Sequence, residues 1–425
     1  MLPRTDRGVS RRAFVKAAVA IGGGSALAAC TAREDTPDLP TGPDDLSGFP
    51  ARQHAWNDVL DLDDADNHLG PRHRVLLYLD YAGDGTPTDA DRRTVERALR
   101  GLEHAYPRSN DGLLFTVSYS SAYFDRFGDS LPKSVDLTAP KALTPFEEPT
   151  LDTPDAVVHL ASDYGSVVLG AEQALLGEQD ELNGVAIETD LGGVLERTDR
   201  RTGFVGEGLP ADNQDVDGIP DSEPVPDDAP LYMGFKSGFD KNQATEDRVT
   251  IRSGPFAEGS VQQISKIQLH LDQWYDQDSR SQRVSKMFCP AHAESGAVEG
   301  VGANLGRSSG MDDCAPAATA ARESGVVGHS QKVMRTREND RPIILRRDFD
   351  STDGGDAGLH FLSLQRTTED FTRTRDAMNG TDLASESALG QKNNNGILQY
   401  MSVTNRGNYL VPPRAHRALP VPQPT

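Results

Sequence analysis

The run Arg74-Val-Leu-Leu-Tyr-Leu-Asp-Tyr81 constrains the fold more than any other stretch, because so apolar a segment needs a strand with a buried face. Thr88, with Asp91 three residues on, has the spacing of a capping box for a following helix whose apolar face is Val95, Ala98, Leu99 and Leu102. A second strand, Leu113 to Tyr119, follows a turn at Asn110-Asp-Gly112. A third strand, Ala156 to Ala161, and a helix from Tyr164 to about Leu176, with Asp163 as its cap, repeat the alternation. This is an α+β pattern, with helices laid on one face of a sheet. The polar, Pro-, Gly- and Asp-rich stretch from Thr198 to Pro230 reads as a long loop or a joint. Beyond it the pattern restarts. In Ile264–Leu271 the apolar Ile267, Leu269 and Leu271 alternate with polar partners, and Gly358–Gln365 leads into a helix through about Met378. No short-period repeat is visible, and the question whether the halves are structural duplicates stays open.

The N-terminus carries Ser10-Arg11-Arg12-Ala13-Phe14-Val15-Lys16 followed by an apolar run from Ala17 to Ala29. That run is shorter than the roughly 20 residues a spanning helix needs, so it reads as a twin-arginine export signal excluded from the fold. It closes on Leu27-Ala28-Ala29-Cys30, a lipobox-like phrase that makes Cys30 the expected lipidation site. The localisation expected is lipid-anchored on the outer face of the cell membrane. The Pro-, Asp- and Thr-rich stretch that follows cannot bury enough apolar surface to fold alone and reads as a tether. Asp and Glu number 65 against 43 Lys and Arg, which argues against nucleic acid and anionic membrane surfaces. Only nine of the basic residues are Lys, and the balance suggests a protein kept soluble in high salt.

Two further cysteines, Cys289 and Cys314, would form one disulfide in an exported protein or stand as two structural thiols. Asn213-Gln-Asp-Val-Asp-Gly218 begins like a calcium loop, but Pro224 stands where the bidentate Glu is needed, so an acidic turn is expected. Gly300-Val-Gly-Ala-Asn-Leu-Gly306 has its last glycine misplaced for a dinucleotide fingerprint and is set aside.

From Met233 onward the phrases fall into one order. Met233-Gly-Phe-Lys-Ser-Gly-Phe239 resembles the GFxDG signature of the dye-decolourising peroxidase family of haem proteins, with Ser237 where that family carries its distal aspartate. Gly254-Pro-Phe-Ala-Glu-Gly259, the strand from Ile264 to Trp274, and Gln282-Arg-Val-Ser-Lys286 are similar to further family phrases. His329 and Ile344-Leu-Arg-Arg-Asp348 resemble the proximal histidine and the segment carrying the distal arginine. Gly358–Gln365 and Gly407–Pro413 resemble the closing strands, so the resemblance runs from about Arg74 to Pro420.

The resemblance implies two ferredoxin-like halves of the dimeric α/β-barrel type, with antiparallel sheets and haem b in the second. The expected organisation is a signal peptide at 1–30, a disordered tether at 31–70, a first half at 71–200, a linker loop at 201–230 and a second half at 231–420. His329 would be the iron ligand, with Gly234, Phe235, Gly238, Phe361 and Arg346 around the cofactor. Arg346, or Arg347 if the pair shifts by one, would stabilise negative charge developing on peroxide, since a guanidinium stays charged. Ser237 is too weak an acid or base to relay the proton alone, so Asp240 or a water would assist it. His360, in the following strand, is open to three fates: facing the haem, replacing His329, or sitting satisfied at an edge. The activity implied is haem-dependent reduction of hydrogen peroxide, with an organic donor oxidised or iron released. The alternative is a non-catalytic haem- or ligand-binding protein on the same fold, and a purely structural surface protein is a third. The partners expected are peroxide, an organic reductant and the lipid anchor, with a homo-oligomer open and nucleic acid excluded.

Overall fold

The computed structural model describes residues 38–425, so the export signal and Cys30 lie outside the described residues. Eight strands dominate: β1 (His73–Tyr81), β2 (Leu114–Ser120), β3 (Ala156–Ser162), β4 (Leu195–Phe204), β5 (Ser260–Leu269), β6 (Phe349–Ser351), β7 (Gly358–Gln365) and β8 (Met401–Val411). Across the first half the order is β4-β1-β3-β2, and across the second β6-β7-β5-β8. Read by chain position, both halves therefore place their fourth, first, third and second strands side by side, all antiparallel. The halves are structural duplicates, each a ferredoxin-like β-α-β-β-α-β unit.

Two seams close the halves into one ring. β8 meets β2 through Tyr409↔Ser120 and Leu410↔Tyr119, and β6 meets β4 through Asp350↔Phe204. A closed ring leaves few exposed strand edges. Its interior is filled by Leu76, Tyr78, Val157, Ile264, Phe349, Leu362 and Tyr409. Charged groups are also enclosed: the Arg201 guanidinium lies 4.2 Å from the Tyr78 ring and pairs with Asp152.

The helices lie outside the ring. α1 (Asp89–Ala105) starts at the capping box of Thr88 and Asp91, and buries Val95, Ala98, Leu99 and Leu102 against the sheet. α2 (Gly165–Leu175) lacks the side-chain cap expected from Asp163, which accepts instead from the Arg72 N–H. In the second half the connection from β5 to β6 is expanded and carries α3 (Arg280–Met287) and α4 (His329–Met334), whereas α5 (Thr368–Asn379) links β7 to β8. No helix among the described residues is long and apolar enough to cross a membrane.

Two expected boundaries are corrected. From residue 38 onward the expected tether is packed: Trp56 is 1% exposed, and its backbone N–H donates to Glu246 Oε1. The segment still cannot fold alone, but it borrows a core by laying Trp56 on Leu114 and Ala161. The expected linker at 201–230 begins inside β4, where Arg201 to Phe204 pair with β1, and later buries Ile219, Val225 and Ala229. The acidic turn at Asp217–Gly218 is held by backbone bonds to Gly355, Ala357 and Leu271.

Buried histidines set an acid limit on this fold. His54 is held at about 3, by burial and then by the Arg347 charge, and His73 at about 4, by burial and then by Arg72. Burial, followed by Arg74, keeps His159 well below the usual range. Their folded pKa values lie under the unfolded value near 6.5, so between the two the unfolded chain binds more protons. Stability is therefore full above pH 6.5 and falls as the pH drops toward 3. His54→Gln, which can keep the contact to Thr250 Oγ1, is expected to make thermal melts between pH 7 and 4 less pH-dependent, by up to about 1.4 kcal/mol per pH unit. Parallel curves for variant and wild type would show that His54 is not the proton acceptor.

Candidate functional site

The site lies on the outer, helix-facing side of the second half. Phe361 of β7 packs on Phe371 of α5, with ring centroids 6.1 Å apart, which fixes that face. Strand alternation then puts Ser363 and Gln365 on the same face, and the register adds their neighbours Gln263 and Ser265 of β5. Leu345–Arg346 form a short extra strand on β7, in which Arg346 opposes Ser363 and so shares this side. Arg347 turns the other way, its guanidinium 4.1 Å from the Trp56 ring and bonded to the His54 carbonyl. Of the two arginines, Arg346 therefore shares the face of Phe361 and Arg347 does not.

The same alternation settles His360. It points into the ring, fully buried, 5.1 Å from Phe349 and 3.5 Å from Asp353 Oδ2. It does not share the face of Phe361.

His329 opens α4, which packs against α5. Its Nδ1 is enclosed without a hydrogen-bond partner. Burial, then the charges of Arg346, Lys332 and Arg375, hold the imidazole down at about 3, so it is neutral at physiological pH. His329 and Arg346 are therefore brought within electrostatic reach of each other. Nearby, the Lys332 ammonium donates to the carbonyls of Met378 and Asn395 and to Asn395 Oδ1.

The Met233–Phe239 loop reaches this region through its C-terminal continuation. Gln243 brackets Arg346, accepting from its N–H at 3.0 Å and donating to its carbonyl at 3.3 Å. Gly234 and Gly238 have φ of +76° and +77°, a conformation that glycine adopts without strain. Ser237 is half-buried between them. Two expectations fail here. Phe235 is packed into a core with Trp274 and Phe288 rather than left free to line a ligand. Asp240 is drawn away by Arg307, at 2.7 Å, and His68, at 3.5 Å, so its carboxylate belongs to another ion-pair cluster.

Sequence reasoning missed three groups. Asp348 Oδ2 lies 3.4 Å from Arg346 Nη1, and burial pushes its carboxyl up to about 6 despite that cation. Its spacing of two from Arg346 on one extended segment was the available signal. Glu147, from a loop of the first half, is buried between Arg406 and Arg375, whose pairing outweighs burial and keeps its pKa low. Arg375 itself keeps an enclosed Nε without a partner, as do Gln263 Oε1 and Gln365 Nε2.

The donor set suits haem: a neutral imidazole with an unpartnered nitrogen, a guanidinium acting on it, and several enclosed polar atoms without partners. The space is less complete. A cleft of about 100 Å³ on this side is lined by Thr138, Lys141, Thr368, Phe371, Arg406 and Asn408 among others, but not by His329. Ligand sites for molecules of this size occupy roughly 300–1,000 Å³, several times the volume of this cleft.

This ring with its helix-covered second half is the fold of the Dyp-type peroxidases. Similar solved structures include the dye-decolorizing protein from V. cholerae, at 12% identity, covering 84% of this chain and 97% of that one with a TM-score of 0.51. The encapsulated DyP-type peroxidase from Mycobacterium smegmatis matches at 14%, 84% and 97%, and 0.52. A Rhodococcus jostii RHA1 DypB variant in complex with heme matches at 13%, 86% and 98%, and 0.52. At such identities the likeness establishes the fold. Residues 71–413 match a family described as a family of unknown function (DUF7405), and the chain belongs to that family. No curated protein matches it.

Removing the buried counter-ion tests the packing of this site. Glu147→Gln leaves Arg406 and Arg375 facing each other without a carboxylate and is expected to cost about 3–5 kcal/mol in urea denaturation. A loss below about 1 kcal/mol would mean that the pairing is solvent-screened.

Proposed function

We propose that this chain is a haem-dependent peroxidase of the dye-decolourising type, reducing hydrogen peroxide and oxidising an organic donor. The observation that carries this reading is the neutral, unpartnered imidazole of His329 under the influence of the Arg346 charge. His329 would hold the iron of haem b, and the cations Arg346 and Arg375 suit a cofactor that carries carboxylates. When bound, haem supplies the redox chemistry that cleaves the peroxide O–O bond.

The chain's own residues would handle charge and protons. Arg346 stabilises negative charge on the departing oxygen and, being permanently charged, moves no proton. Peroxide must lose a proton from one oxygen and gain one on the other. Ser237 can orient peroxide or a water but is a poor base. Asp348, beside Arg346 with its pKa near 6, can take up and return a proton around neutrality.

A second reading is a non-catalytic haem- or ligand-binding protein. It is favoured by Ser237 in place of a carboxylate and by the commitment of Asp240 to Arg307. We also propose, from the sequence, export by the twin-arginine route, anchoring through Cys30 at the outer face of the membrane, and life in high salt. Metabolic labelling with a fatty acid, lost in Cys30→Ser, tests the anchor.

Protein produced with adequate haem is expected to show a Soret band that is lost in His329→Ala. Arg346→Leu should retain the band but lose peroxide turnover at least about tenfold. A stoichiometric haem complex in His329→Ala would remove that ligand. A haem-loaded wild type that turns over no donor with peroxide would leave the binding reading in place of the enzymatic one.

A further inference from the structure

Cys289, His292 and Cys314 meet in the expanded connection of the second half, where the backbone of Cys289 lies beside Gly328, the residue before His329. Cys289 stands fully buried at the start of the short helix Pro290–Ser295, and His292 lies in its first turn. Cys314 arrives from the opposite direction, after the turn Met311–Asp313. The two cysteines are joined as a disulfide with Cα atoms 6.1 Å apart. Both sulfurs and one ring nitrogen of His292 lie within 4.8 Å of one another.

The histidine is what a plain structural disulfide leaves unexplained. His292 is only 3% exposed, and its Nδ1 is enclosed without a hydrogen-bond partner. An enclosed polar nitrogen of this kind is destabilising, because it has lost its water without gaining a partner. Its position is also confined: the loop comes so near that a Cβ on Gly310 would sit 3.1 Å from His292 Cε1, and Gly310 has φ of +67°. A packed imidazole directed at two sulfurs, with no acceptor or donor for Nδ1, has the makings of a ligand set.

We propose that reduction of the Cys289–Cys314 disulfide creates a site for a thiolate-preferring metal ion, with Cys289, Cys314 and His292 as ligands and zinc as its divalent occupant. A dithiol reductant supplies two electrons and two protons, breaking the S–S bond to give two thiols while the reductant becomes a disulfide. Binding of Zn(II) then forms two Zn–S bonds and one Zn–N bond and releases both thiol protons to solvent. The two thiolates balance the charge of the ion. Tetrahedral bonds of about 2.3 Å to sulfur and 2.0–2.1 Å to nitrogen place the ligand atoms roughly 3.5–3.8 Å apart, a spacing inside the present cluster. The sulfurs can reach it by side-chain rotation, and the fourth position is left for water. Three protein ligands with an open position is the arrangement of reactive zinc, so the ion would be exchangeable and the site would report the redox state of its surroundings.

The test uses the whole chain, reduced anaerobically with a phosphine, freed of reductant and titrated with Zn(II) against a chromophoric chelator. Co(II) serves as the spectroscopic probe. One equivalent of Zn(II) is expected to bind, with Co(II) giving thiolate-to-metal charge transfer and the intense d–d bands of tetrahedral geometry. The oxidised chain should give neither. His292→Ala and His292→Gln should each weaken Zn(II) at least about tenfold, outer-shell changes alone costing 10–100-fold. Cys289→Ser with Cys314→Ser should abolish the cobalt charge-transfer band, while His329→Ala should leave it unchanged. Equal Zn(II) affinity in the oxidised and reduced chains, or in both His292 variants and wild type, would overturn the proposal. So would loss of far-ultraviolet circular dichroism on reduction, since the cluster would then be only a structural clamp.

Discussion

The fold depends on β5 being paired along both edges. It binds β7 from Val261↔Gln365 to Gln268↔Gly358 and β8 from Ser260↔Val411 to Leu269↔Met401, so it lies at the centre of the second sheet. Because it is held on both sides, its side chains have only two directions available, into the ring or toward the helices. Ile264 takes the first, whereas Gln263 and Ser265 take the second. The seams between the halves are far shorter, two pairs at one and a single pair at the other. Most of the strand pairing therefore lies within each half, and the junction relies on side chains. Asn405 to Asp152, Glu147 to Arg406 and Arg347 to the N-terminal segment supply part of that tie.

The two-face rule also sorts the chemistry. Histidine and arginine occur on both sides of the second sheet, and residue type alone does not distinguish a ligand from a core group. His360 and Arg347 carry the same functional groups as His329 and Arg346. Yet His360 is directed at Phe349 and Asp353, and Arg347 at Trp56, both among packed partners. Both ring nitrogens of His360, like Nδ1 of His329, lack a hydrogen bond, so an unmatched nitrogen alone does not separate the two; His360 has a carboxylate 3.5 Å away inside the ring, whereas His329 opens the helix α4 outside it.

Much of the fold was legible because local signals were strong. The Thr88–Asp91 capping box, the face of α1 and the strand at Gly358–Gln365 stand where their residues demand. The tether was misread from residue 38 onward because its burial is non-local. Trp56, with Val59 and Leu60, sits in a stretch too short and polar to announce that it packs against Leu114 and Ala161, far away in sequence. The linker was misread for a related reason: Arg201 and Thr202 look exposed, but β4 buries both, Arg201 toward the ring interior beside Asp152 and Thr202 on the opposite face, bonded to Asp353. The nearness of His329 and Arg346 was legible from spaced phrases, whereas the partner of each carboxylate was not. Asp240 and Ser237 are near neighbours in sequence, but Arg307 and His68 are nearer to Asp240 in space.

The placement of carboxylates is therefore what separates this pocket from a generic one. Among the described residues near His329 and Arg346, Glu147 is bound to two arginines and its pKa is kept low, so it serves as a fixed counter-charge. Asp348 has one arginine at 3.4 Å, a single backbone donor from Leu362 and the more distant charge of Arg74, with its side chain 8% exposed. Burial wins over those two contacts and raises its pKa to about 6, so it changes charge close to neutrality. A group held permanently ionised stores charge, whereas one poised near neutrality can exchange a proton. By that criterion Asp348, on the same extended segment as Arg346 and two residues away, is the carboxyl group nearest Arg346 that titrates close to neutrality.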